Sequence, residues 1–163
     1  MLKNHPAALP VCFTTEMWER FGYKIILGLL IFVLLQRFGF TDAQAAGVTG
    51  SFTGLLYITS ILAGYIADHF IGYYRSVILG AIILIAGYLL LAISNHILLL
   101  SISLGTISVG TGLLKTNISS YLGASYQPGD QNRQKGYSIF YSGILIGLLT
   151  FYYGFKLSGL KPL

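Results

Sequence analysis

Five long apolar stretches, at about residues 11–37, 45–67, 77–93, 97–122 and 137–155, leave this chain few folds to choose from. Segments of this length suit a hydrocarbon core of roughly 30 Å crossed by a helix rising about 1.5 Å per residue, with some tilt. Within lipid each backbone N–H and C=O has to be satisfied inside its own segment, as the α-helix does. Hydrophobic residues make up 55% of the 163 residues, charged residues 9%, and the mean hydropathy is +0.73. A soluble domain of this size does not hide that much apolar surface. The expected fold class is an all-α membrane protein with about five transmembrane helices.

The connections are short and carry turn chemistry. Residues 1–10 form a polar lead with Pro6 and Pro10, and no cleavable signal peptide is evident in them. Gly39–Asp42 makes a turn, with Thr41 and Asp42 as N-cap candidates for the second helix. That helix is rich in small residues (Gly47, Gly50, Gly54, Ala63, Gly64), which predicts close approach to its neighbours. Asp68–Arg75 reads as a polar connection, and Gly123–Gly136 as the longest loop, turning at Pro128-Gly129-Asp130. Basic residues set the expected orientation. Lys3, Arg75, Arg133 and Lys135 fall on one side and Arg37 on the other, which places the N-terminus in the cytoplasm; Lys156 and Lys161, after the fifth span, lean the other way.

Several function classes drop out. The +5 formal charge comes from scattered residues, so nucleic acid is not an expected partner. A single cysteine, Cys12, excludes an intrachain disulfide and a CxxC site. His5, His69 and His96 are isolated, without metal-ligand spacing, and no nucleophile–base pair suggests an enzyme. The expected metal and cofactor complement is none.

Polarity concentrates instead in Glu16-Met17-Trp18-Glu19-Arg20-Phe21-Gly22-Tyr23-Lys24, at the head of the first span. Ionisable groups inside a spanning helix cost about 2.5–3.5 kcal/mol each on insertion scales and mark ion or substrate pathways. Glu16, Glu19/Arg20 and Tyr23 fall at i, i+3/i+4 and i+7, on one helical face, with Glu16 and Arg20 in the favourable acid-before-base order. A solvated helix end is the alternative, against which Phe13, Met17, Trp18 and Phe21 interleave with the charges. Lys115 stands alone in the fourth apolar run, either in a buried charge network or snorkelling to an interface.

The motif Glu16-x-x-Glu19-Arg20-Phe21-x-Tyr23 resembles the first-helix signature of the proton-dependent oligopeptide transporters of the major facilitator superfamily. Gly64–Gly72 is similar to the superfamily loop between helices two and three, Gly110–Ser120 to the family's fourth-helix block, and Gly136–Tyr141 to the start of its fifth helix. The resemblance implies an N-terminal six-helix bundle, here incomplete at about five spans, and proton-coupled symport of di- and tripeptides, with protons as coupling ion. It assigns proton coupling to Glu16, Glu19, Arg20 and Lys115, peptide binding to Arg20, Tyr23, Tyr57 and Lys115, and cytoplasmic gating to Asp68 and Arg75. The implied partners are small peptides, the lipid bilayer of the cell membrane, and the missing C-terminal helices or a full-length transporter.

The chain departs from the family pattern at Lys24 in place of a second tyrosine, His69 in place of arginine, Thr116 in place of proline, and Leu145 in place of asparagine. A Tyr74-Arg75 pair stands where the family carries two basic residues. Lys24 lies four residues after Arg20, a repulsive spacing that should turn it towards water or discharge it. After Gly147 the resemblance fades, as expected of a fragment or a frame-shifted product. The alternative to a symporter sequence is a non-transporting remnant or an interaction partner of a complete transporter.

Overall fold

A computed structural model describes residues 5–157. They form five α-helices and no β-strand: α1 Ala8–Gln36, α2 Asp42–Ile66, α3 Tyr73–Ala92, α4 Ile97–Ala124 and α5 Asn132–Leu157. Four stretches are long and apolar enough to cross a membrane: Asp42–Ile71, Tyr73–Ala92, Ile97–Ala124 and Asn132–Gly154. The chain is a multi-pass membrane protein. Helix α1, with 29 residues, would reach about 44 Å at 1.5 Å per residue. It does not qualify as an apolar span, because Glu16, Glu19, Arg20 and Lys24 interrupt it.

The helix ends differ from the expected boundaries for identifiable reasons. Thr41 does cap α2, in a capping box: Gln44 N–H donates to Thr41 Oγ1 at 3.4 Å, and Thr41 N–H donates to Gln44 Oε1 at 3.0 Å. Asp68–Arg75 is not a polar connection. Residues Ala67–Ile71 continue α2 as a π turn, Gly72 at φ +75° makes the link, and α3 starts at Tyr73 without a side-chain cap. The Gly123–Gly136 loop shrinks to residues 125–131. Its turn closes through Asp130 N–H to the Gln127 carbonyl at 3.1 Å, with Gly129 at φ +84°. Asp130 Oδ1 then accepts from Asn132 N–H at 2.8 Å, opening α5 five residues before the expected start. Lys3 and Lys161, used for the orientation, lie outside the described residues.

The described chain forms two compact units. The first comprises 5–29 with 119–157. Here Gly136, Phe140, Gly143 and Gly147 fall on one face of α5. A Cβ at Gly143 would lie 2.9 Å from the Phe13 carbonyl oxygen, and one at Gly147 would collide with the Met17 carbonyl oxygen, so α5 seats directly on the backbone of α1. A side chain at Gly136 would likewise collide with the Tyr126 hydroxyl, which lies 2.9 Å from His5 Nδ1. Burial pushes the Tyr126 phenol above its ordinary range, and the Asp130 charge adds to the effect.

The second unit comprises 30–118. Helices α3 and α4 touch backbone to backbone. A Cβ at Gly110 would lie 2.7 Å from Leu84 N, and one at Gly87 would lie 3.0 Å from Ile107 N. Helix α2 meets α4 at Gly112, where a Cβ would lie 2.9 Å from the Thr59 carbonyl oxygen. Hydroxyls and an amide bridge the same crossing: Thr59 to the Ser108 carbonyl at 2.9 Å, Thr116 to the Ser60 carbonyl at 3.2 Å, and Asn117 to the Ala63 carbonyl at 3.4 Å. The small residues of early α2 do not behave as expected. Side chains added at Gly47, Gly50 or Gly54 would meet nothing within 4 Å, and Gly64 alone of that glycine set meets a neighbour, Thr116. Near the α2 start, Phe40, Gln44, Ser51, Phe52, Ser101 and Leu104 line an open groove of about 520 Å³.

Candidate functional site

The charged face of α1 is buried, not a solvated end. Glu16, Glu19 and Arg20 keep 2%, 4% and 9% of their surface exposed, whereas Trp18, between them in sequence, is 61% exposed. Helical spacing explains the contrast. Glu16, Glu19 and Arg20 lie on one side of the cylinder, and Trp18 on the other.

Arg20 joins the three charges. Its Nε lies 3.3 Å from Glu16 Oε1, the i,i+4 pair expected from the sequence, and the same guanidinium pairs with Glu19. Tyr23, one turn on, presents its ring 5.3 Å from the Arg20 guanidinium carbon, a cation–π distance. Two carboxylates therefore share one guanidinium in a place from which water is largely excluded. Removing a partner from such a cluster leaves an uncompensated buried charge, which is strongly destabilising. Lys24 is half-buried rather than turned fully to water.

The remaining sequence-derived residues belong to the other unit and are exposed. Tyr57, on α2, is 70% exposed, and Lys115 is exposed on α4. Asp68 is exposed in the π turn and is the charged neighbour of the hydroxyl of Tyr73, the first residue of α3. Arg75, two residues after Tyr73, is exposed as well. Leu145, where an amide was expected, is also exposed, away from the glycine face that meets α1. Sequence reasoning passed over Gly143 and Gly147 as contacts. Their four-residue spacing, the small-xxx-small signature of close helix approach, was the available signal. Among the described residues no group of three His, Cys, Asp or Glu could hold a metal ion.

A family model described as the POT family (PTR2) matches residues 74–153. Dipeptide and tripeptide permease B of Salmonella typhimurium is 39% identical over 149 residues. The chain belongs to the POT family. That alignment covers 91% of this chain and 30% of the permease; the Yersinia enterocolitica permease B, at 38% identity, gives the same shares. The chain thus spans about 30% of the length of the relatives it matches. A crystal structure of peptide transporter POT in complex with sulfate has a TM-score of 0.85 at 36% identity, covering 90% of this chain and 31% of that one. A POT family transporter in complex with a thioalcohol-conjugated peptide has a TM-score of 0.87 at 31% identity, covering 94% and 33%. The five helices are therefore those of a POT bundle, and the relatives are permeases and transporters, not enzymes.

Proposed function

We propose that this chain supplies the coupling site of a proton-driven symporter of di- and tripeptides. The observation that carries the reading is the joint burial of Glu16, Glu19 and Arg20 on one face of α1. Protonating one glutamate weakens its hold on the guanidinium. The freed Arg20 then accepts the carboxylate end of a peptide, for which its planar fork is suited. Proton and peptide are coupled because each favours the same arrangement, the differential affinity that any ligand-driven switch needs. Tyr23, stacked on Arg20, and Tyr57 contribute to the peptide site. Lys115 shares in coupling and in carboxylate binding, on the likeness of its Gly110–Ser120 block. The exposure of Tyr57 and Lys115 suits side chains that meet a ligand.

Asp68 and Arg75 act at a cytoplasmic gate, with the N-terminus on the same side of the cell membrane. A cysteine at Tyr74, in a Cys12→Ser background, should be labelled by an impermeant reagent only after the cells are opened; labelling of intact cells would reverse the orientation. The function itself is tested in proteoliposomes holding the full gene product. An inward proton gradient should drive uptake of a labelled dipeptide, and Glu19→Gln should abolish it. Uptake that survives Glu19→Gln would remove the coupling role, and the absence of any gradient-driven peptide uptake would remove the substrate class.

A further inference from the structure

Helix α5 touches α1 at two glycines, and only one of them touches the charged turn. Gly143 faces Phe13: a Cβ there would lie 2.9 Å from the Phe13 carbonyl oxygen and 3.0 Å from its ring. Gly147 faces the next turn. A Cβ there would collide with the Met17 carbonyl oxygen and lie 3.2 Å from Arg20 Cβ. Met17 sits between Glu16 and Trp18, and its carbonyl belongs to the hydrogen-bond ladder of the turn that carries Glu19 and Arg20. The atoms in the way are backbone and the first side-chain carbon, neither of which can swing aside. Any side chain at 147 has to move the whole α1 turn.

We propose that Gly147 is a positioning residue: its missing side chain lets α5 press against the Met17–Arg20 turn and fixes where the Arg20 guanidinium stands between Glu16 and Glu19. The role differs from helix packing in general, because Gly143 provides the same kind of backbone contact one turn away from the charges. It differs also from the missing amide at Leu145, whose side chain is exposed rather than facing α1. This inference rests on the reading of Arg20 as the group that receives the peptide carboxylate.

The test compares three glycine variants of the full gene product in proteoliposomes. The readout is the preference for a dipeptide over the same dipeptide carrying a C-terminal amide, which isolates recognition of the carboxylate from overall transport. Gly147→Ala should reduce that preference by about 10- to 100-fold, as expected when a positioned group is displaced by about 1 Å. Gly143→Ala should lower the amount of folded protein and leave the preference intact. Gly154→Ala, where an added side chain meets nothing within 4 Å, should change neither. A wild-type preference in Gly147→Ala, or an equal loss in Gly143→Ala, would overturn the proposal.

A second measurement covers failure of Gly147→Ala to fold, or absence of any preference in the unaltered protein, which would refute the reading of Arg20 instead. The described chain contains one methionine, Met17, and residues 1–163 hold only Met1 besides. Carbonyl-labelled methionine with Cα-labelled glycine should give a solid-state magnetic-resonance cross-peak between Met17 and Gly147, assigned by its loss in Met17→Leu. The Gly147 signal should shift in Arg20→Lys, while Gly154 stays in place. A missing cross-peak, or a Gly147 signal indifferent to Arg20→Lys, would overturn the positioning role.

Discussion

In the unit of residues 30–118, the polar side chains at the α2–α4 crossing are Thr59, Thr116 and Asn117, each donating to a carbonyl of the facing helix. In the unit that holds 5–29 and 119–157, α1 carries two carboxylates and a guanidinium that pairs with both of them. Both units rely on glycine for close backbone approach, so glycine does not distinguish them. The kind of polarity does. A hydroxyl that bonds a neighbouring carbonyl holds two helices at a modest gain and has little reason to change state. A carboxylate–guanidinium cluster is costly to bury and changes its balance with every proton or anion. One unit bridges its helices through neutral hydroxyls and an amide, and the other buries a cluster of charges.

The largest expected effect separates the two directly. Arg20→Met leaves two buried carboxylates without their shared cation and should cost about 3–5 kcal/mol, the range for breaking a buried pair from one side. Denaturant unfolding in mixed micelles would measure it, and hydrogen exchange should show lost protection in α1 and α5 while α3 stays protected. Equal loss in α3 would mean that the two units do not respond separately. Next comes Gly110→Ala, whose Cβ would lie 2.7 Å from Leu84 N and 2.9 Å from Leu84 Cα. It should destabilise by about 1–3 kcal/mol and leave the carboxylate preference of transport unaltered. A change in that preference would break the division drawn above. Smallest is Thr59→Val, which removes one bond to the Ser108 carbonyl and should cost about 0.6 kcal/mol, the mean for hydrogen bonds between membrane helices. A loss several times larger would show that hydroxyl bridges carry more of this unit than its glycine contacts do.

Much of this was legible in the sequence, and the reasons for the rest are local. The five apolar runs announce five helices, and the spacing of Glu16, Glu19, Arg20 and Tyr23 announces one charged face. Thr41 signals the cap of α2, while the part of Gln44 in the capping box emerges only from the structure. The start of α3 gives no such sign, because Gly72 enters it through a positive φ and no side chain caps it. The early start of α5 depends on Asp130 reaching Asn132 across a turn that the composition reads simply as loop. The glycines of early α2 resemble those of α4, yet only partner geometry tells which of them meet a backbone. Lys115 sits within a recognisable block and Tyr57 at a position the resemblance assigns, but a motif specifies register and not which side of a helix is covered.

The π turn at Ala67–Ile71 has a consequence for how such a chain tolerates change in length. A π turn is a helical turn that holds one residue more than an α turn needs, here closed by Gly72 N–H to the Ala67 carbonyl at 2.9 Å. Elsewhere in α2 or α3 the loss of one residue would rotate everything beyond it by about 100° and turn the packed glycine face away from its partner. Between Ala67 and Ile71 the surplus residue can be surrendered instead, the turn tightening to an α turn while α3 keeps its phase against α4. The segment beside Asp68 is thus the place along these two helices where a deletion is absorbed, a point of slack next to glycine contacts at Gly80, Gly87, Gly110 and Gly112 that allow almost none.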